Sequence, residues 1–141
     1  MKARDLMTAD PEVLTPDARL SEAGKLMRDS DVGMIPIVSD RSEMKVEGVI
    51  TDRDIVTRHV AEKHQEDHAV REHMTDGKIH SVRPDDDAQK VLDVMKRHQV
   101  RRVLVTEGDK LVGVIAQADV ALQKDSPHVD ETVEKISEPN R

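Results

Sequence analysis

The apolar positions of this chain fall into the same pattern twice. Leu20, Ala23, Gly24 and Met27 stand at i, i+3, i+4 and i+7, and Ala88, Val91, Leu92 and Met95 repeat that spacing. It is the spacing of an amphipathic helix with one face turned to a core. A short extended piece precedes each helix, residues 12–14 and 79–82, and Asp17 or Asp85, just after a Pro, is the expected N-cap. Two runs rich in β-branched residues follow each helix: 34–38 with 46–50, then 102–106 with 111–115. The second pair is joined by a short loop containing Gly108, which predicts a β-hairpin. A second helix closes each copy, over about 52–62 and 117–124. The predicted unit is β-α-β-β-α, present in tandem, an α/β (α+β) fold.

The residues themselves repeat. Arg4-Asp5-Leu6-Met7-Thr8 returns 67 positions later as Arg71-Glu72-His73-Met74-Thr75. Thr15-Pro16-Asp17 returns as Arg83-Pro84-Asp85, Met27 as Met95 and Val32 as Val100, all 68 positions on. Gly48-Val49-Ile50 returns as Gly113-Val114-Ile115 and Asp54 as Asp119, 65 positions on. The second copy is shorter where the polar stretch 39–45 contracts to Glu107-Gly108-Asp109. One such unit of roughly 60 residues buries too little surface to be secure alone, so the two copies are expected to pack as a pseudo-two-fold pair. The expected boundaries are a first repeat over 1–62, a polar linker over 63–69, a second repeat over 70–125 and a polar tail over 126–141. The tail is expected to be mostly disordered, with room for a short helix near 131–136.

Composition narrows the chemistry. The 141 residues include no Phe, Trp, Tyr or Cys. Stacking platforms for single-stranded nucleic acid, aromatic cages, disulfides, thiolate nucleophiles and Cys-based zinc sites are therefore excluded. Met7, Met27, Met34, Met44, Met74 and Met95 are expected to fill a core that has no aromatic side chains. A net charge of −7 repels nucleic acid at long range. No apolar run approaches the ~18 residues of a spanning helix, and the first residues lead into no apolar leader segment. A soluble, cytoplasmic protein without nucleic-acid or membrane partners is the expectation. No Ser-His-Asp arrangement, Gly-rich phosphate loop or paired metal carboxylates stand in a recognisable context, so an enzyme is not expected.

Three groups of polar residues carry candidate chemistry. Thr51 and Asp54 stand at i and i+3 where a strand runs into a helix. There, free N–H groups attract phosphate, and a carboxylate can accept hydrogen bonds from a ribose diol. An ordinary capping Thr with a first-turn Asp explains the same pattern. The second copy reads Ala116-Gln117-Ala118-Asp119, so Ala116 replaces the hydroxyl and Ala118 replaces Arg53. The Asp54 site is therefore expected to be the better one. Arg53, Arg101 and Arg102 are the candidate phosphate partners, with His98 weaker; each Arg could equally serve in a surface ion pair. His59, His64, His68 and His73 cluster in sequence around the linker. His64 and His68 stand at i, i+4 with Glu62 and Asp67 nearby, so a zinc or nickel site is one reading; but the set spans a linker, its spacing matches no known ligand pattern and Cys is absent, so a solvated polar linker is expected there and no metal ligand is assigned.

The order of these motifs, occurring twice, resembles a paired CBS-domain protein, or Bateman module, of the small stand-alone bacterial type. The resemblance rests on Gly-Val-Ile-Thr-Asp-Arg-Asp at 48–54, Arg-Asp-Leu-Met-Thr at 4–8, Ile35-Pro36-Ile37-Val38 and Val100-Arg101-Arg102-Val103-Leu104-Val105, and it covers about 1–124. It implies two clefts between the copies that take adenosine-containing ligands: AMP, ADP, ATP, S-adenosylmethionine or NAD-type molecules. It implies that Asp54 and Asp119 take ribose hydroxyls and that Thr51 lies near the phosphate. Strand backbone at Met34, Ile35, Pro36 and Val103 would read the adenine, with Thr15 and Ser81 completing the set. By the family's geometry Arg101 and Arg102 would face the Asp54 site. A disc-like homodimer is implied, with a regulatory role toward an unknown protein partner. The alternative reading is a constitutive dimeric scaffold with vestigial clefts.

Overall fold

The computed structural model describes residues 1–77 and 79–121. The expected tail and the last residues of the second closing helix lie outside the described residues. In chain order the elements are α1 (Ala3–Leu6), β1 (Thr8–Ala9), α2 (Leu20–Ser30), β2 (Met34–Val38), β3 (Val46–Thr51), α3 (Asp52–Ile55), β4 (Ser81–Val82), α4 (Ala88–His98), β5 (Arg102–Glu107), β6 (Lys110–Ala116) and α5 (Gln117–Ala121). A π-helical turn, Val56–Val60, continues α3, and a 3-10 turn covers Val70–Glu72. Two compact units result. One joins Met1–Pro11 to the chain from His80 onward, and the other is Glu12–Ile79.

Within the Glu12–Ile79 unit, β2 and β3 pair antiparallel, with Met34 opposite Thr51 and Ile35 opposite Ile50. Leu14 bridges in parallel to Ile37 on one side, and Thr75 bridges antiparallel to Val49 on the other. The predicted face of α2 buries Leu20, Ala23 and Met27 against Leu14, Ile35, Ile37, Ile50 and Val70. Gly24, the remaining member of the helical pattern, is exposed.

The other unit repeats this arrangement as a four-stranded sheet of order β1-β6-β5-β4. Thr8 pairs with Val114, and Val82 pairs in parallel with Val105. These pairings are the sequence repeats of the Thr75–Val49 and Leu14–Ile37 bridges. Val91, Leu92 and Met95 of α4 pack with Val103, Val105 and Ile115, and Ala3 and Leu6 join the same core. The β5–β6 hairpin turns at Gly108, whose φ of +60° is the left-handed conformation glycine adopts without strain.

The helix starts differ from expectation. Arg19, not Asp17, is the N-cap of α2, and its backbone N–H donates to Glu22 Oε1 at 3.2 Å. Asp87, not Asp85, caps α4, accepting from the Lys90 N–H at 2.9 Å. The displaced carboxylates have other partners: Asp17 forms an ion pair with Arg71, and Asp85 with Arg4. The first closing helix also differs. It is α-helical only through Ile55 and then widens, with the Ala61 N–H donating to the Val56 carbonyl at 2.8 Å. No helix among the described residues is long and apolar enough to cross a membrane.

Two glycines make the Met-Thr segments fit. A Cβ on Gly48 would lie 2.7 Å from the Thr75 carbonyl oxygen and 3.1 Å from Met74 Sδ. A Cβ on Gly113 would lie 2.8 Å from Met7 Cγ. A Cβ on Gly24 would meet nothing within 4 Å. Gly48→Ala and Gly113→Ala should therefore each destabilise the protein by about 1–3 kcal/mol through overpacking. Gly24→Ala should stabilise it by about 0.5–1 kcal/mol, because Ala is the better helix former. Urea denaturation of the three variants checks the sign of each effect. A harmless Gly48→Ala would contradict the close approach.

Candidate functional site

The turn from β3 into α3 is built by a reciprocal pair. The Thr51 N–H donates to Asp54 Oδ2 at 3.1 Å, and the Asp54 N–H donates to Thr51 Oγ1 at 3.0 Å. This is a capping box, which satisfies two backbone donors at the helix start. Asp54 is one of the few charged side chains that are buried, at 8% exposure. Two residues absent from the expected set hold it there. Thr75 Oγ1 donates from 3.4 Å to the carboxylate, equidistant from both oxygens, and Arg58 Nε lies 3.7 Å from Oδ1. Carboxylate oxygens together offer about four acceptor positions, so lone pairs remain for a further donor. The Thr51 hydroxyl accepts at the cap and keeps its own proton to donate.

The second turn keeps half of this device. The Ala116 N–H donates to Asp119 Oδ2 at 2.8 Å. Ala116 has no oxygen to accept in return, and Asp119 is half-buried. In both units the helix start is tied to the loop before the hairpin. The Asp52 N–H donates to the Gly33 carbonyl at 2.9 Å, and the Gln117 N–H to the Arg101 carbonyl at 2.7 Å.

The remaining expected residues are placed as follows. In the Glu12–Ile79 unit, Met34 pairs directly with Thr51, Ile35 and Pro36 are buried on β2, and Thr15 is half-buried just beyond the Leu14 bridge. Arg53 is exposed in the first turn of α3. In the other unit, Arg102 pairs with Ala116, as Met34 does with Thr51, and Val103 is buried beside it. Arg101 is exposed just before β5, and Ser81 is exposed at the start of β4. No hydrogen bond or ion pair holds the guanidinium groups of Arg53, Arg101 and Arg102 among the described residues. The corresponding groups of Arg4, Arg58 and Arg71 are all paired with carboxylates.

The histidines are not spread along a solvated linker. The ring of His59 lies 5.4, 4.9 and 5.3 Å from those of His64, His68 and His73, centroid to centroid. His68 Nδ1 and His73 Nε2 are 2.9 Å apart. His73 is buried, and that burial pushes its pKa below the ordinary histidine value; the neighbouring His68, His59 and His64 push it the same way.

Two β-hairpins, each backed by a helix and each ending in a carboxylate-bearing strand-to-helix turn, define a tandem-repeat module of the CBS type. The CBS-domain family model matches residues 3–60 and 70–124, and the chain belongs to that family. It is 38% identical over 123 residues to the uncharacterized protein YlbB of Bacillus subtilis, covering 87% of this chain and 82% of that one. It is 33% identical over 137 residues to hypoxic response protein 1 of Mycobacterium tuberculosis, covering 97% and 94%. The crystal structure of hypoxic response protein I, solved with two coordinated zinc ions, superimposes with a TM-score of 0.76 at 32% identity, over 86% of this chain and 98% of that one. The CBS pair of MJ0100, in complex with 5′-methylthioadenosine and S-adenosylmethionine, shares the fold with a TM-score of 0.71 at 22% identity, over 87% and 94%.

The unequal turns are testable through stability. Thr51→Ala should cost about 0.5–2 kcal/mol by removing the cap, and Ala116→Ser should recover a similar amount in the second turn. Denaturant midpoints of the two variants measure both. A destabilising Ala116→Ser would show that the second turn has no place for the oxygen.

Proposed function

We propose that this CBS-domain pair is a non-enzymatic regulatory module that binds an adenosine-containing ligand of the AMP, ADP, ATP, S-adenosylmethionine or NAD type. The observation that carries the proposal is the buried Asp54 carboxylate, fixed on a strand-to-helix turn with acceptor capacity left over. A ribose diol offers two hydroxyl donors of the right reach for such a group. Arg53, Arg101 and Arg102, uncommitted among the described residues, are the proposed phosphate partners. Backbone groups at Met34, Ile35, Pro36 and Val103, with Thr15 and Ser81, are proposed to contact the remainder of the ligand. The bound adenosine compounds of the MJ0100 pair belong to the same chemical class, although the likeness to that protein is one of fold.

In this reading the ligand selects one arrangement of the chain, and the population shift is passed to a protein partner. A homodimer is part of the proposal. Val56 and Val60, 56% and 60% exposed on the turn after α3, offer apolar surface for it.

Thermal unfolding with millimolar AMP, ADP, ATP, NAD or S-adenosylmethionine tests the proposal. A ligand at a hundredfold excess over its Kd adds about 2.7 kcal/mol of stability, which is roughly 5–10 °C for a chain of this size. Asp54→Asn keeps an acceptor for the Thr51 N–H but loses the charge, and it should remove most of the ligand-induced shift. Asp119→Asn should remove less. No shift with any of the five compounds would favour a constitutive scaffold, and equal losses at both positions would overturn the ranking of the two turns.

A further inference from the structure

We propose that His59, His64, His68 and His73 form a binding site for one divalent transition metal of the zinc class. One ring nitrogen from each residue lies within 4.8 Å of those from the other three. A tetrahedral zinc with Zn–N bonds of about 2.0–2.1 Å needs nitrogen–nitrogen separations of about 3.4 Å. The most widely spaced nitrogens, up to 4.8 Å apart, therefore need to close by about 1.4 Å, a distance that side-chain rotation can cover.

The backbone that carries them is irregular in the way such a cluster requires. His59 and His64 are five residues apart, a spacing that an α-helix sends to different faces. The π-helical turn changes this, and the His64 N–H donates to the His59 carbonyl at 3.2 Å. π-Turns of this kind concentrate at functional sites. Lys63, with φ of +59°, turns the chain back. The segment carrying His68 is then pinned to the start of α2. The Leu20 N–H donates to the His68 carbonyl at 2.9 Å, and the Ser21 N–H and hydroxyl both donate to the Asp67 carboxylate. His73 is fixed from both sides: its N–H donates to the Val70 carbonyl at 3.0 Å, and its carbonyl accepts from Arg58 Nη1 at 3.2 Å.

The chemistry inside the cluster is that of a ligand set. His59 Nδ1 is buried and has no hydrogen-bond partner among the described residues, and a buried polar atom left alone is costly. The neutral imidazole, with one ring nitrogen free to coordinate, is the metal-binding form of histidine. Glu72 Oε1, 4.0 Å from His68 Nδ1, adds negative charge beside the set. Four nitrogen donors without sulfur suit zinc, cobalt, nickel or copper and not magnesium or calcium. The alternative occupant of this geometry is a proton-sharing imidazole cluster, with the 2.9 Å His68–His73 contact as its hydrogen bond.

The test titrates the 141-residue chain, stripped with EDTA, with Zn²⁺ by calorimetry, and with Co²⁺ by visible absorption. The expected result is saturation at one equivalent, the intense ligand-field bands of tetrahedral cobalt and a rise in Tm with zinc. His64 is exposed, so His64→Ala should fold normally and weaken zinc binding about tenfold or more. His68→Gln should do the same, and His98→Ala, outside the cluster, should leave the affinity unchanged. The proposal is overturned if no saturable one-to-one uptake appears. It is equally overturned if His64→Ala and His68→Gln bind zinc as the parent does, which would leave the imidazole cluster as the occupant.

Discussion

The close approach of a Met-Thr pair to a glycine is the contact from which the rest of the structure follows. Thr8 lies along β6 and Thr75 along β3, in both cases a segment from one sequence repeat completing the sheet of the other. Gly113 and Gly48 leave the space that Met7 and Met74 occupy. The Arg at the start of each segment then reaches the Asp that follows a proline, as Arg4 to Asp85 and Arg71 to Asp17. Those pairs are exposed and contribute little energy. What closes each seam is the backbone pairing together with half-buried Met7 and Met74 packed on the glycines. The four-stranded sheet thus takes β1 from the first repeat, and the β2–β3 sheet takes its Thr75 bridge from the second.

Much of this was legible because the duplication reports on itself. The offsets of 67, 68 and 65 positions map the Thr8–Val114 pairing onto Thr75–Val49, and Val82–Val105 onto Leu14–Ile37. Helical periodicity identified the buried faces of α2 and α4, since a core contact must recur with the helical period. The helix starts were misread for a physical reason. An Asp just after a Pro satisfies the local rules for an N-cap, but Asp17 and Asp85 pair with arginines more than fifty residues away in the sequence. Local capping preference is worth about a kilocalorie per mole, small enough for tertiary contacts to override.

The candidate site was legible to the extent that it is local. Thr51-x-x-Asp54 announces a capping box because both bonds run between residues three apart. Thr75 and Arg58 were missed. Thr75 reaches Asp54 only through the sheet bridge to Val49, and Arg58 reads as an ordinary helix-surface cation. The signal for Thr75 was present in the repeat of the Met-Thr pair, but its consequence depends on which strand it joins. The histidine cluster was hidden more thoroughly. The four-residue step from His64 to His68 fits a helix face, but the five-residue steps to His59 and His73 do not, and the four rings meet through a π-turn, a left-handed Lys63 and the Asp67–Ser21 anchor.

Arg58 ties these two features into one. Its guanidinium donates to the carbonyls of His73 and Met74 at 3.2 and 3.3 Å, and its Nε lies 3.7 Å from the Asp54 carboxylate. The planar group holds its donors in a fixed fork, so it cannot follow one partner without moving relative to the others. His59 is its neighbour in the chain, His73 is a hydrogen-bond partner, and Thr75, two residues further on, touches Asp54 directly. The 73–75 segment therefore meets the surroundings of Asp54 at two side chains, the Arg58 cation and the Thr75 hydroxyl. The histidine cluster and the carboxylate turn are thus neighbours within one compact unit, with Arg58 hydrogen-bonded to the backbone of the first and paired with the carboxylate of the second.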